Sequence, residues 1–542
     1  MDALTRVATT GTSREALPAR DLPTDDLLGS ARRSPERDLL LRAGMRAVFR
    51  MSGKRTQAGA KSQGTAPVEK TPVCSSKAAE NIRRLLTGGH DEILREVLER
   101  LRIAGLRLPH ALLPVALDVQ QEQLRPFIVV LLGERGLWLA RQNPNWGWAV
   151  STGESEGAYE AIWEEGALED RLAALRHVRR RDADRGLGWV EEAWKSEKAD
   201  VRISMVAALG TGLSPGDESF LENALDDRSV KVREAVASLL ARIPGSAYAE
   251  RATARADSVL ASYEPPAGGL RGVAAGLSRR GRAGKLEVRP PEYLDEGWRR
   301  DLPASNKPPQ GVGEKAWRIT QALSVVPPGR WERRFGVTPD ELVASARGDW
   351  EAALLTGWSR AAEQFGAGTW AFPIWERCQQ PPDKRGTGTS REWDNAWDAA
   401  LALVPSMSQT RFAAEFPRLL REGGMTDRLA STLSSLPAPW DEELGHLYLE
   451  ELRKHVAETF ARNREEGDLW LLTPRYAAGR IPPPCFEHAS FDQPDEVLVE
   501  RKFANGELVR YEPYHLRRWR KELAKFEETL ELRSKLVEEI PL

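Results

Sequence analysis

The chain predicts a mostly helical fold: an α-solenoid of stacked helical hairpins, a second helical region, and a small C-terminal β-hairpin plus helix. Three observations predict it. Residues recur at a fixed 31-residue step between Tyr159 and Ile243. Amphipathic helical patterns resume after a Gly/Pro-rich interruption and run to about Arg462. Finally, two alternating runs flank Asn505-Gly506, and a helix with an apolar seam follows them.

The elements follow in chain order. Residues 1–72 read as a basic N-terminal arm with one helix. Through Leu86 there are 16 Lys/Arg against 9 Asp/Glu, a local surplus of positive charge. Residues 73–262 read as the helical repeats. Arg171, Arg202 and Arg233 share the 31-residue step, as do Ala173, Ser204 and Ala235, and Val178, Leu209 and Leu240. Upstream, Tyr159, Val190 and Leu221 form one such set and Trp163, Trp194 and Leu225 another, so Trp194 is expected to be a buried repeat residue. A period in this range marks paired helices that cannot bury both apolar faces alone and stack to do so. Ser214-Pro215 followed by Asp217 and Glu218 supplies an N-cap, a first-turn proline and acids at the positive end of a helix. Residues 263–312 are rich in Gly and Pro, lose the helical period and read as a linker or loop; Pro266 to Lys285 should be its softest part.

Residues 313–480 form the second helical region, broken by the loop QQPPDKRGTGTS. Residues 481–542 hold the hairpin and helix. Asn-Gly favours the two positive-φ positions of a type I′ turn. Leu516, Trp519, Leu523, Phe526 and Leu530 then recur at three- and four-residue steps, a seam that can pack on the protein's own helices or on a partner helix.

Composition excludes several function classes. About 41% of residues are hydrophobic, enough for real cores, and the formal net charge of −2 sets up no global field for nucleic acid. Cys74, Cys378 and Cys485 are odd in number and far apart, which argues against a disulfide framework and for a reducing compartment. No apolar run approaches the roughly 20 residues of a membrane span, and the first residues lack an apolar signal core, so a cytoplasmic location is expected.

Catalytic signals are weak throughout. Gly281 to Lys285 reads GRAGK but has Arg279 where a phosphate loop needs Gly and Leu286 where it needs Ser or Thr. The basic residues around it, Arg271, Arg279, Arg280, Arg282 and Lys285, could touch phosphates but suit a solvated loop better. Cys485 and His488 have a C-x-x-H spacing, yet no second close pair completes a zinc set; Cys378, His446 and His455 are distant in sequence. His177 lies on a repeat helix and reads as a surface or capping residue. The 18 tryptophans, several after Pro in loops as in Trp146, Trp148, Trp331 and Trp440, read as inter-repeat corners that bury a ring and satisfy the N–H at an edge. No catalytic, cofactor-binding or metal-ligating residue is assigned, and no cofactor is expected.

DDRSVKVREAVASLL looks like a HEAT repeat. GERGLWLARQNPNWGWAV and LSPGDESFLENALDDRSVKVREAVASLLARIPGSAYAERA resemble a bacterial group, domain-of-unknown-function family 5691. RDLLLRAGMRAVFRMSG, VCSSKAAENIRRLL and GVGEKAWRITQALSVVPPGRW resemble it too, so the likeness covers most of the chain to about Pro328 and is patchier beyond. The resemblance implies no activity. It implies a setting beside MoxR-type AAA+ ATPases, von Willebrand factor A (VWA) proteins and SWIM zinc-finger proteins.

The expectation is a non-enzymatic scaffold or adaptor for a protein partner, such as an AAA+ ATPase or VWA protein, with no membrane association. The alternative is a nucleic-acid binder, or an enzyme similar to HEAT-like DNA glycosylases. In that enzyme Arg179, Arg180, Arg181 and Asp182 would act with Trp189 or Trp194.

Overall fold

The computed structural model describes residues 3–17, 34–51, 65–88, 91–150, 156–266, 284–302, 307–379, 389–462, 469–491, 499–502 and 508–540. The chain divides into two compact units, Met1–Pro67 and Val68–Leu542. The first unit, expected to carry one helix, carries two: α1 (Ala3–Thr10) and α2 (Pro35–Met51). Val7 is its buried apolar residue, and the Thr12 hydroxyl donates to Glu36 in the first turn of α2 at 2.5 Å.

The second unit contains two apolar cores. The first is built by α3 (Ser76–Gly88), α4 (Asp91–Ile103), α5 (Leu113–Leu117), α6 (Arg125–Val129) and α7 (Gly133–Ala140). Glu69 caps α7 by accepting from the backbone N–H groups of Glu134 and Arg135 at 3.0 and 3.1 Å. Those are orphan donors at the positive helix end, so a carboxylate suits the site. The N–H bonds come with Arg107 nearby and hold the Glu69 carboxyl below its ordinary pKa, although burial opposes them.

The second core begins at α8 (Glu156–Glu165). It continues through α9 (Leu168–Arg181), α10 (Ala183–Ala193), α11 (Ala199–Leu209), α12 (Glu218–Ala224), α13 (Val230–Ala241) and α14 (Ala247–Val259). Helix α9 packs on α8, α10 and α11, then α11 packs on α13 and α13 on α12. Burial follows the 31-residue step at most of the matched positions, Trp194 being half-buried where Trp163 and Leu225 are buried. Tyr159, Val190 and Leu221 are buried, as are Val178, Leu209 and Leu240, while Ala173 is exposed and Ser204 and Ala235 are half-buried.

Strand β1 (Leu260–Glu264) leaves α14 directly and pairs antiparallel with β2 (Lys285–Val288). The Gly/Pro-rich segment therefore starts from a paired ladder rather than free chain. It also contains α15 (Glu296–Asp301), capped by the Asp295 side chain. The segment expected to be softest lies almost wholly outside the described residues.

The next helices are α16 (Glu314–Ser324), α17 (Gly329–Phe335), α18 (Pro339–Ser345), α19 (Glu351–Phe365), α20 (Ala371–Gln379) and α21 (Ser390–Ala402). Helix α16 packs on α19 and α19 on α21. After them come α22 (Gln409–Gly423), α23 (Asp427–Ser435), α24 (Glu442–Arg462) and α25 (Thr473–Ala477). Strands β3 (Val499–Lys502) and β4 (Leu508–Tyr511) pair antiparallel, with Lys502 opposite Leu508; the type I′ turn expected at Asn505-Gly506 lies outside the described residues.

Helix α26 (Tyr514–Glu539) ties the second unit together. Its seam residues Leu516, Trp519, Leu523, Phe526 and Leu530 are all buried in the second core, so the protein's own helices cover the seam. Nearly two turns later Leu536 and then Ile540 enter the first core. Between these two sets sits Arg533, only 2% exposed. It donates to Glu96 on α4 and to the carbonyls of Ala478 and Ile481, each at 2.7 Å. Arg100 on α4 donates in turn to the Ile540 carbonyl at 3.0 Å. Among the described residues no helix is long and apolar enough to cross a membrane.

Candidate interaction surface

The repeat helices carry the same side-chain arrangement twice. Arg171 lies over Trp163 at 4.8 Å, and Trp163 stacks on Trp189 with centroids 5.5 Å apart. One 31-residue step later, Arg202 lies over Trp194 at 5.6 Å, and Trp194 meets Phe220 edge-on at 5.0 Å. In the third unit Leu225 replaces the tryptophan, which ends the series. Arg171 also donates across to the Trp163 carbonyl on α8 at 2.9 Å, and Arg202 to the Glu197 carbonyl in the turn before α11 at 2.7 Å. Trp194 is half-buried rather than buried. Phe220 meets the Trp194 ring edge-on, whereas Trp189 lies nearly parallel to Trp163.

Arg179 occupies the centre of this region with its side chain closed to solvent. Its guanidinium donates to both Asp217 oxygens at 2.8 Å and to the carbonyls of Ala183, Leu209, Thr211 and Gly212. The fixed fork of five N–H donors suits such a cage, and a lysine could not fill it. Asp217 accepts the Ser214 N–H as well and completes a capping box with Ser214, the N-cap expected there. Two glycines are required here. A Cβ on Gly186 would lie 2.6 Å from Arg179 Cδ, and Gly212 has φ +66° with a Cβ position 2.6 Å from the Arg179 carbonyl oxygen.

Residues singled out for chemistry are therefore placed as follows. Arg179 is a structural staple between neighbouring helix pairs. Arg180 and Arg181 are exposed. Asp182 is the N-cap of α10, accepting from the Arg185 N–H at 3.0 Å. Trp189 is buried against Trp163. His177 stacks on Tyr159 at 4.2 Å, and burial together with Arg181 and Arg180 lowers its pKa.

Cys485 is buried, with its thiol facing the Glu442 carbonyl at 3.6 Å, and burial raises its pKa to about 11. The fold does bring His446 and His488 together, rings 4.9 Å apart, a contact the sequence spacing concealed. Yet among the described residues no group of three His, Cys, Asp or Glu side chains is placed to hold a metal ion. Of the GRAGK stretch, residues 281–283 lie outside the described residues and Lys285 begins β2.

The loop tryptophans divide. Trp146 donates to Asp118 at 2.7 Å and Trp148 to the Leu117 carbonyl at 3.3 Å, as corner residues should. Trp331 and Trp440 are instead sealed in the core, and their N–H groups meet no acceptor among the described residues.

A second polar cluster escaped sequence reading. Asp301, 1% exposed, accepts from Arg251 at 2.8 Å and Arg255 at 2.6 Å, and its backbone carbonyl accepts from the Tyr248 hydroxyl. Burial alone would raise the Asp301 pKa, but the two arginines hold it below the ordinary value. This is again a structural knot, tying α14 to α15.

Among the exposed and half-buried positions of these helices is a row of small side chains at matching steps. Ala173 on α9 and Ala207 on α11 are exposed; Ser204 on α11, then Ala235 and Ser238 on α13, are half-buried. Arg176 and Arg180 border the row on α9 and Glu234 on α13, so its charge is mixed.

A family model described as "Family of unknown function (DUF5691)" matches residues 3–540. No curated protein and no solved structure matches.

Proposed function

The chain belongs to the DUF5691 family, and from that premise we propose that it is a non-enzymatic scaffold whose HEAT-like helical repeats hold a protein partner. One observation carries the reading: the row Ala173, Ser204, Ala207, Ala235 and Ser238 is exposed or half-buried across three successively packed helices. Small side chains let a partner's backbone or helix approach closely, and a stacked array repeats that opportunity at a fixed step. The titratable groups nearby support the same reading, because Arg179, Asp217 and Asp182 are committed to staples and caps. The family resemblance suggests the partner, a MoxR-type AAA+ ATPase or a VWA protein acting in the same cytoplasmic system.

The test is reconstitution with the neighbouring ATPase and VWA proteins, read by hydrogen exchange. Protection of α9, α11 and α13 on mixing is expected, and Ala173→Arg with Ala207→Arg should abolish it without lowering the melting temperature. Binding that leaves those helices unprotected, or that survives the double substitution, refutes this surface as the dock.

A further inference from the structure

The first turns of α26 present a surface that the scaffold reading does not use. Arg517, Arg518, Lys521 and Lys525 are all exposed, and none makes an ion pair or side-chain hydrogen bond among the described residues. At 100° per residue, these four and Tyr514 fall within an arc of about 100°, with Arg517, Lys521 and Lys525 about 6 Å apart along the axis and Arg518 beside Arg517. The acids of the same segment are committed elsewhere. Glu512 pairs with Arg520, Glu522 with Arg475, and Glu500 on β3 with Arg510 on β4, each at 2.7 Å. Among the described residues the acids of α26 that precede Glu528 are turned inward: Glu522 is held first by Arg475, with Arg518 and Lys525 adding to its stabilisation, and Glu527 accepts from the Phe491 N–H. At its N-terminal end two aromatic rings are open to solvent, Tyr514 at 71% exposure and Tyr511 at 39%.

We propose that this face, the basic stripe of α26 with Tyr511 and Tyr514, binds single-stranded nucleic acid. The near-neutral charge of the whole chain gives no hint of it, because the stripe is local. Cations at one-turn spacing can meet successive backbone phosphates, and the exposed rings offer faces on which bases stack. An acidic protein segment would satisfy the cations equally well. It would leave two large aromatic faces unexplained, which is why the nucleic acid is the better occupant.

The experiment uses the full chain with fluorescein-labelled oligo(dT) and oligo(U) strands, titrated by anisotropy from 50 to 200 mM salt. Four phosphate contacts predict a slope of log K against log salt near −3, about 0.7 per contact on a single strand. The variant with Arg517, Arg518, Lys521 and Lys525 all changed to Gln should lose the slope and most of the binding. Its circular dichroism and melting should match the parent, since exposed substitutions of this kind keep helix propensity. Tyr514→Ala should weaken binding about tenfold with the slope unchanged. Three results overturn the proposal. One is no binding at 50 mM salt. Another is binding unchanged in the quadruple variant, which would place it elsewhere, for instance on the basic N-terminal arm. The third is poly-glutamate binding as tightly as the strands with Tyr514→Ala inert, which would mark the face as a dock for acidic protein.

Discussion

Replacing Arg179 with methionine should be among the most damaging single changes to the repeat helices. The side chain is sealed from water and joins Asp217 to four backbone carbonyls. Its removal leaves a buried carboxylate without its cation, a loss that typically amounts to about 3–5 kcal/mol. The orphaned carbonyls add to that figure wherever water cannot reach them. Hydrogen exchange resolved to peptides from α9 to α13 reads the change locally. A loss of about 4 kcal/mol corresponds to roughly a thousandfold faster exchange through opening of these helices. The double variant Arg179→Met, Asp217→Leu should recover part of that loss, since the unpaired charge is gone, although the Ser214 cap is lost with it. If Arg179→Met alone keeps protection within tenfold of the parent, the staple account of this residue is wrong.

Three further outcomes follow from packing and titration. Trp163→Ala should destabilise by about 3–5 kcal/mol because its ring is buried and stacked, whereas Trp194→Ala should cost clearly less, and equal melting shifts would contradict the difference in burial. The Asp301 carboxyl has a folded pKa below its ordinary value, so its contribution is complete above the unfolded value near 4 and fades as pH falls through the folded one. Asp301→Asn should therefore lower stability at pH 7, and the gap to the parent should begin to close only below about pH 4 and vanish below the lowered folded value, as followed by urea unfolding. Burial raises Cys485 to about 11 and Cys378 to about 12, so a thiol reagent at pH 7.5 should label the native protein slowly and the unfolded chain at once. Rapid labelling of native Cys485 would contradict its placement.

Local chemistry made some of this legible in the sequence. The 31-residue recurrence picks out buried positions such as Val178, Leu209 and Leu240, although Trp194 in the same pattern is half-buried, and the alternating runs predict the pairing of β3 with β4, whose turn lies outside the described residues. The α26 seam was readable as a seam, and what covers it was not. Its occupants, together with Glu96 for Arg533 more than 400 residues away, follow from the path of the whole chain. The Arg179 cage was hidden for a similar reason: a run of three arginines at a helix end looks like solvated charge until Asp217 and four carbonyls from other loops close on the first of them. The pairing of β1 with β2 left no alternation to read, since β1 continues α14 without a break. His446 and His488 meet only because α24 and the 483–488 turn pack together.

The measurement that bears most directly on the scaffold account is affinity purification of the tagged full-length protein from its native host, with quantitative mass spectrometry and a nucleic-acid assay on the same eluate. The account predicts a protein recovered in stoichiometric amount, an AAA+ ATPase or VWA partner, that disappears when Ala173 and Ala207 are changed to Arg. An eluate holding nucleic acid and no stoichiometric protein would contradict it.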